Sequence, residues 1–182
     1  KDSTDGLEGT SQSEIELDAK IHFVDGISSE DIQKTLIRVA VEKIDIDRPN
    51  WTFTAARLFI YDLYHRVGKN IQGEKGNPYC HISKYLAYGE EKGRILKGLS
   101  SKFNLDTLNE AIVPSRDFLF NYLGIKTLFD RYLLKNEKGE CFELPQQMFM
   151  GVSMFLASKE TEFDKQELID FNLKKFGKKN SE

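Results

Sequence analysis

The sequence predicts a mainly α fold, an orthogonal helical assembly of about seven helices with one short β-hairpin near 133–143. Three observations carry this. Apolar residues recur at three- and four-residue spacing along most of the chain. Prolines stand just inside the periodic stretches and glycines just beyond them. A turn sequence flanked on both sides by apolar pairs, the mark of a hairpin, occurs at one place. In 182 residues, 40% hydrophobic content with 12% aromatics is enough to bury a core in one medium domain or two small units.

Residues 1–13 are polar and contain glycine, which predicts a frayed or loop-like start. Ile15, Ala19 and Phe23 recur every four residues, so a short helix is expected over 14–23, stopped at Asp25-Gly26. The next helix has Ser28 or Ser29 as its cap, Glu30 and Asp31 at its positive end, and Ile32, Leu36, Val39, Ala40 and Ile44 on one face. Pro49 and Asn50 open a third helix with Phe53, Ala56, Leu58, Ile60, Leu63 and Val67 inward, and Gly68 is its stop. Residues 69–78, with Gly73, Gly76 and Pro78 among polar neighbours, read as a loop and place a domain boundary near residue 70.

A fourth helix is expected from Asn77-Pro78 through Ala87, with Ile82, Leu86 and one of Tyr79, Tyr85 and Tyr88 inward. Gly89, Gly93 and Gly98 then break the chain into short pieces, and Leu105, Leu108 and Ile112 predict one or two turns before Pro114. Leu133, Leu134, Cys141 and Phe142 bracket Asn136-Glu137-Lys138-Gly139, which is the hairpin. Pro145 starts a helix with Met148, Phe149, Val152, Phe155 and Leu156 on its buried side. A last helix, about 164–176, uses Leu168, Ile169, Leu173 and Phe176.

With 30% charged residues and a net charge of −3, neither sign dominates, which argues against nucleic acid or a membrane surface as partner. No apolar run approaches the roughly 20 residues that span a bilayer, and residues 1–9 hold no signal-peptide core, so the expected location is cytoplasmic. Cys80 and Cys141 are too few and too far apart for a disulfide framework or a metal pair, which leaves reduced thiols. The lack of an initiating Met and the mixed-charge ends predict a piece of a longer protein.

The residues by themselves hold no active site. His22, His65 and His81 are scattered, so no zinc site is expected. Cys80 and His81 are adjacent, about 100° apart on a helix, and read as a buried thiol beside a surface imidazole. The glycines make no phosphate-cradling loop, and acidic pairs such as Glu14 with Glu16 and Glu90 with Glu91 read as solvated faces. Met148, Met150 and Met154, beside Phe149 and Phe155, read as core. On residues alone, a free-standing helical interaction module without enzymatic activity stays open as an alternative.

One stretch is more specific. Arg116-Asp117-Phe118 leads through Tyr122, Gly124, Lys126-Thr127-Leu128 to Arg131-Tyr132-Leu133-Leu134, and Pro145-Gln146-Gln147-Met148-Phe149-Met150 follows. It resembles the large subunit of class I ribonucleotide reductase. Two further matches stand in the same order: His22-Phe23-Val24-Asp25-Gly26-Ile27, similar to the family's I-x-F-x-D-G-I turn, and Pro49-Asn50-Trp51 with Ala55-Ala56-Arg57-Leu58, similar to its P-D-[YW]…LAARL helix. The likeness runs from about Gly6 to Phe176.

The resemblance implies that residues 1–69 are the carboxyl-terminal, helical part of an ATP-cone, the regulatory domain that takes ATP as activator and dATP as inhibitor. Residues 70–182 would be the helical domain ahead of the catalytic barrel. The cone's basic β-hairpin has no counterpart here. Its hydroxyl residue after D-G-I falls on Ser29, which would bond a phosphate or ribose at a helix start, with an N-cap as the bland reading. Its basic residue falls on His65 or Arg66, where Lys is common in relatives. Gln33 occupies a position that carries His or Asp in relatives under dATP control.

The implied activity is reduction of ribonucleoside diphosphates at the 2′ carbon through a thiyl radical, with electrons from a cysteine pair on the barrel. Neither Cys80 nor Cys141 matches those cysteines, so no catalytic residue is expected here. The implied partners are a radical-generating small (beta) subunit, a second large subunit, the barrel in cis, and nucleotides. No cofactor and no metal are expected in this piece. Its helices from about 78 to 176 would brace the first barrel strands and connect them to the cone.

Overall fold

The computed structural model describes residues 2–72 and 78–159. Among them are seven α-helices: α1 (Gln12–Lys20), α2 (Ser29–Glu42), α3 (Trp51–Gln72), α4 (Ile82–Glu91), α5 (Leu105–Glu110), α6 (Tyr122–Arg131) and α7 (Pro145–Ala157). Short 3-10 turns cover Ser100–Lys102 and Pro114–Leu119. The helix expected at 164–176 lies outside the described residues. α6, in the middle of the family-like stretch, is a helix that periodicity alone did not single out. Asn121 starts it by accepting the Gly124 N–H at 2.8 Å.

The chain divides into two compact units, Lys1–Leu63 with Phe118–Leu128, and Tyr64–Asp117 with Phe129–Glu182. In the first, Ile15 and Ala19 of α1, Val39 and Ala40 of α2, and Trp51 and Ala55 of α3 form the core. Trp51 is fully buried at the first turn of α3, and Lys43 Nζ and Arg48 Cζ lie 5.4 and 5.3 Å from its ring centroid. Both cations also reach Glu14 on α1, at 3.5 and 3.1 Å, and Lys43 reaches Asp18 at 2.5 Å. The ion pairs orient α1 against the α2–α3 connection. At this exposure each stabilises by about 1 kcal/mol or less, and burial of the apolar face supplies the rest.

On α2, Ile37 takes the buried place expected of Ile44, which is 38% exposed because the helix has ended at Glu42. The start of the chain is loop-like but not frayed. Arg57 donates to the carbonyls of Asp5 (2.6 Å) and Asp2 (3.4 Å), Asn50 donates to that of Glu8 (2.9 Å), and Gly6 and Gly9 supply the positive φ of the turns.

In the second unit Cys80, Ile82, Tyr85, Leu86, Leu99, Leu108, Phe142, Met150, Met154 and Ala157 make the core. α4 begins at Ile82 and not at Pro78, because His81 is its cap: the ring Nδ1 accepts the Ser83 N–H at 3.3 Å. Of the three candidate tyrosines, Tyr85 points inward.

The expected hairpin reduces to a single antiparallel bridge between Lys135 and Cys141. The reason is competition for donors. The Leu134 N–H goes to the Glu143 carboxylate at 2.8 Å, and those of Lys138 and Glu140 go to the Asn136 side chain at 3.0 Å each, so the ladder is not extended.

α7 is rotated from the expected face. Met150, Ser153, Met154 and Ala157 are buried, while Val152, Phe155 and Leu156 are 51%, 56% and 54% exposed. This helix is apolar nearly all round, so periodicity does not choose its orientation. The polar residues at its start do. Pro145, Gln146 and Gln147 are all buried, with Gln147 Oε1 accepting the Leu144 N–H at 2.9 Å.

Candidate functional site

Ionisable chemistry in the second unit gathers at two buried carboxyls. Asp117 lies in the Pro114–Leu119 turn and is fully buried. Its Oδ2 accepts from Tyr64 at 2.9 Å and from Tyr79 at 2.6 Å, and its Oδ1 accepts from the Gln146 side chain at 3.2 Å. The Tyr79 oxygen in turn accepts the Gln146 N–H at 3.1 Å, near the start of α7. Burial pushes the Asp117 carboxyl up to about 6, against three donors that each pull it down. Burial, and then the charge of Asp117, holds the Tyr79 phenol well above its ordinary value.

Glu143 is the second. It is 2% exposed, accepts a short bond from the Tyr85 hydroxyl and the Leu134 N–H, and burial pushes it up to about 7. Cys141 next to it donates from Sγ to the Glu143 carbonyl at 3.3 Å, and burial moves this thiol up to about 11. A thiol with that pKa is a poor nucleophile near neutral pH. Cys80 is likewise a buried thiol outside any disulfide.

Every oxygen of the two carboxyls has a donor. Such bonds tie together residues that are far apart in sequence. Two cavities adjoin them. One of about 280 Å³ has Tyr85 and Glu143 among an otherwise largely apolar lining, and one of about 380 Å³ is lined by Tyr64, Tyr79, Cys80 and Asn109 with Pro78, Ile112 and Pro114. Among the described residues no three His, Cys, Asp or Glu side chains are grouped to hold a metal ion. No helix among them is long and apolar enough to cross a membrane.

The residues singled out from sequence sit elsewhere. Ser29 is the first residue of α2 and exposed; the cap is Ser28, whose Oγ accepts the Asp31 N–H at 3.1 Å. The N-cap reading of Ser29 therefore passes to its neighbour. His65 is exposed on α3, and Arg66 is half-buried with its guanidinium 5.1 Å from the Phe129 ring. Ser29 belongs to the first unit and His65 to the second. Gln33 is half-buried and donates to the Leu58 carbonyl at 2.9 Å. His81 is partly exposed beside buried Cys80, and its Nε2 lies 3.2 Å from Asp106.

Sequence reading missed both buried acids. Asp117 stood inside a quoted motif without a physical role. The signal for Glu143 was its place between Cys141-Phe142 and Leu144-Pro145, an acid set in an apolar run.

A family model described as "Ribonucleotide reductase, all-alpha domain" matches residues 118–175. The alpha subunit of ribonucleoside-diphosphate reductase from Helicobacter pylori strain J99 is 59% identical over 165 residues, 91% of this chain and 20% of the relative. That from strain 26695 of the same organism gives the same figures. The alpha subunit of reductase 1 from Escherichia coli K12 is 31% identical over 159 residues, 86% of this chain and 20% of the relative. The chain thus spans about one fifth of the length of the curated relatives it matches. By these likenesses, covering nine tenths of its length, the chain belongs to the ribonucleotide reductase large-subunit family and corresponds to its amino-terminal helical region.

Proposed function

We propose that the chain is part of a ribonucleoside-diphosphate reductase large subunit, an enzyme that forms deoxyribonucleotides by a thiyl-radical reaction, and that it serves there as structural and allosteric support. The observation that carries this is 59% identity over 91% of the chain to a subunit named for that activity. The site chemistry is in keeping with a supporting role. Both cysteines are buried, one with its thiol pushed up to about 11, and both buried carboxyls have their oxygens occupied. The reacting cysteines therefore belong to the barrel in the rest of the subunit, with thioredoxin or glutaredoxin as the electron donor. A radical-generating beta subunit and a second large subunit complete the enzyme.

In this reading residues 1–69 are the helical remainder of an ATP-cone and 70–182 the domain ahead of the barrel. ATP and dATP act on the whole subunit. Ser29 and His65 are the positions through which the cone would touch them. Ser29 lies at the positive end of α2, which favours an anion, but Glu30 and Asp31 stand in the same turn and oppose it. The 182-residue chain alone is expected to show no thermal shift with dATP, since half of the grip is absent.

The test is a chimaera in which this chain replaces the matching segment of a Helicobacter pylori alpha subunit. Reductase activity with the beta subunit should persist, and dATP should change amide exchange within residues 78–176. A chimaera that folds and binds beta but makes no deoxynucleotide defeats the assignment. Unchanged exchange on dATP leaves the enzyme assignment standing and removes the allosteric part.

A further inference from the structure

The hollow of about 280 Å³ beside α7 has a floor and a mouth of different character. Tyr85 and Glu143, 1% and 2% exposed, form the floor, and Tyr132, Phe155 and Leu156, at 60%, 56% and 54%, form the mouth. Of the described residues around it, Arg94 and Glu143 are the charged ones. We infer that the hollow takes a small molecule with an apolar body and one carboxylate, the body between α7 and the turn after α4, the carboxylate on Arg94 and Tyr132. The lining residues all belong to the second unit, so the inference stands apart from the reductase assignment.

The body is set by the walls. Ile95, Leu99, Leu134 and Met148 are apolar, and the first three pack in or on the core of the second unit, so the hollow is formed before anything enters it. Gly151 keeps the floor open, since a β-carbon there would already stand 3.3 Å from the Tyr85 hydroxyl. A dry cavity of about 150 Å³ holds benzene, so this one has room for roughly ten heavy atoms.

The head group is set by which polar atoms are available. At the floor, the two Glu143 oxygens already accept from the Tyr85 hydroxyl and the Leu134 N–H, and an amine would have to break into that pair. At the mouth, neither the Arg94 guanidinium nor the Tyr132 hydroxyl has a partner among the described residues. The Arg94 N–H donates to the Gly89 carbonyl at 2.9 Å, which fixes where the side chain leaves the backbone. A cation and a hydroxyl donor at the rim of an apolar hollow suit a carboxylate.

The experiment titrates the 182-residue chain in a calorimeter with octanoate, 1-octanol and octylamine, which share one tail and differ in the head. Octanoate should saturate one site and bind about fivefold or more tighter than the other two. Arg94→Gln should weaken octanoate by about fivefold and leave octanol unchanged, Arg94→Lys should recover part of the loss, and Tyr132→Phe should cost about twofold. Nuclear Overhauser contacts from the octanoate tail to the methyl groups of Met148 and Leu156 should place it in the hollow.

Tightest binding by octylamine overturns the inference, because the head then belongs to Glu143. Equal affinity for octanoate and octanol, an Arg94→Gln variant that binds octanoate as the parent does, contacts to other methyl groups only, or no saturation in the millimolar range overturns it as well. Should Arg94→Gln fail to fold, the three-ligand comparison on the parent chain and Tyr132→Phe decide in the same way.

Discussion

Gln33 on α2 donates its side-chain amide to the backbone carbonyl of Leu58 on α3, at 2.9 Å. The acceptor sits inside a continuous helix, so the bond is additional to the helical ladder, and it crosses between two elements at a half-buried place. Gln33→Leu keeps the bulk and removes the donor, and should cost about 0.5–1.5 kcal/mol in urea unfolding. Gln33→Asp should cost more, because a carboxylate then faces a carbonyl oxygen with no proton between them. If Gln33→Asp is as stable as the parent chain, the bond contributes nothing and the position is free to carry the residues seen in effector-controlled relatives.

The two serines at the start of α2 separate by the same measurement. Ser28→Ala removes the acceptor of the Asp31 N–H and should lower stability by about 0.5–2 kcal/mol. Ser29→Ala removes an exposed hydroxyl in the first turn and should stay within about 0.5 kcal/mol of the parent. On the proposed contact between Ser29 and an effector, dATP would distinguish the two in the reverse order in the whole subunit, with Ser29→Ala weakening its effect and Ser28→Ala leaving it unchanged. Equal loss of stability in both variants would mean that the cap is shared.

How far the sequence could be read depended on whether one face of an element was polar. On α3, periodicity placed Phe53, Ala56, Leu58, Ile60, Leu63 and Val67 inward; Ala56, Ile60, Leu63 and Val67 are buried and Phe53 and Leu58 half-buried, while Tyr61, His65 and Lys69 make the exposed side. On α7 no such contrast exists. Its orientation is decided by Gln146 on Asp117, a bond between residues 29 positions apart that no local pattern encodes. The hairpin was legible as a turn and not as a ladder, since Glu143 and Asn136 take the donors that strand pairing would use. The buried acids follow the same rule. A carboxyl is readable as buried once its tyrosine partners are known, and Tyr85 lies 58 residues from Glu143.

Glu143 and Asp117 give the fold a pH dependence whose sign can be worked out. Burial raises Glu143 from 4.5 to about 7 and Asp117 from 3.8 to about 6, so the folded chain holds each proton more tightly than the unfolded one does. The stabilisation from each is complete below its unfolded pKa and is lost as pH rises through the folded value. Glu143→Gln mimics the protonated form at every pH. The unfolding free energy of the parent minus that of Glu143→Gln should therefore fall by on the order of 3 kcal/mol from about pH 4 to about pH 8. A flat difference would show that water reaches the carboxyl and that burial does not set its proton affinity.

Gly89 on α4 tests packing where no charge is involved. A β-carbon there would lie 2.4, 2.7 and 3.3 Å from Cδ1, Cγ1 and Cβ of Ile95. More than the tip of the side chain is in the way, and Ile95 has little room to retreat, because its own N–H and that of Arg94 both donate to the Gly89 carbonyl, at 3.1 and 2.9 Å. Gly89→Ala gains about 1 kcal/mol in helix propensity but forces the following turn outward, an overpacking cost of about 1–3 kcal/mol that should leave the variant less stable on balance. Ile95→Ala should lose stability alone, since that side chain packs on the core of the second unit. Combined with Gly89→Ala it should lose less than the sum, because the added methyl then fills the space that Ile95 vacates. Strict additivity in thermal unfolding would mean that the turn relaxes freely and that Gly89 is not held there by Ile95.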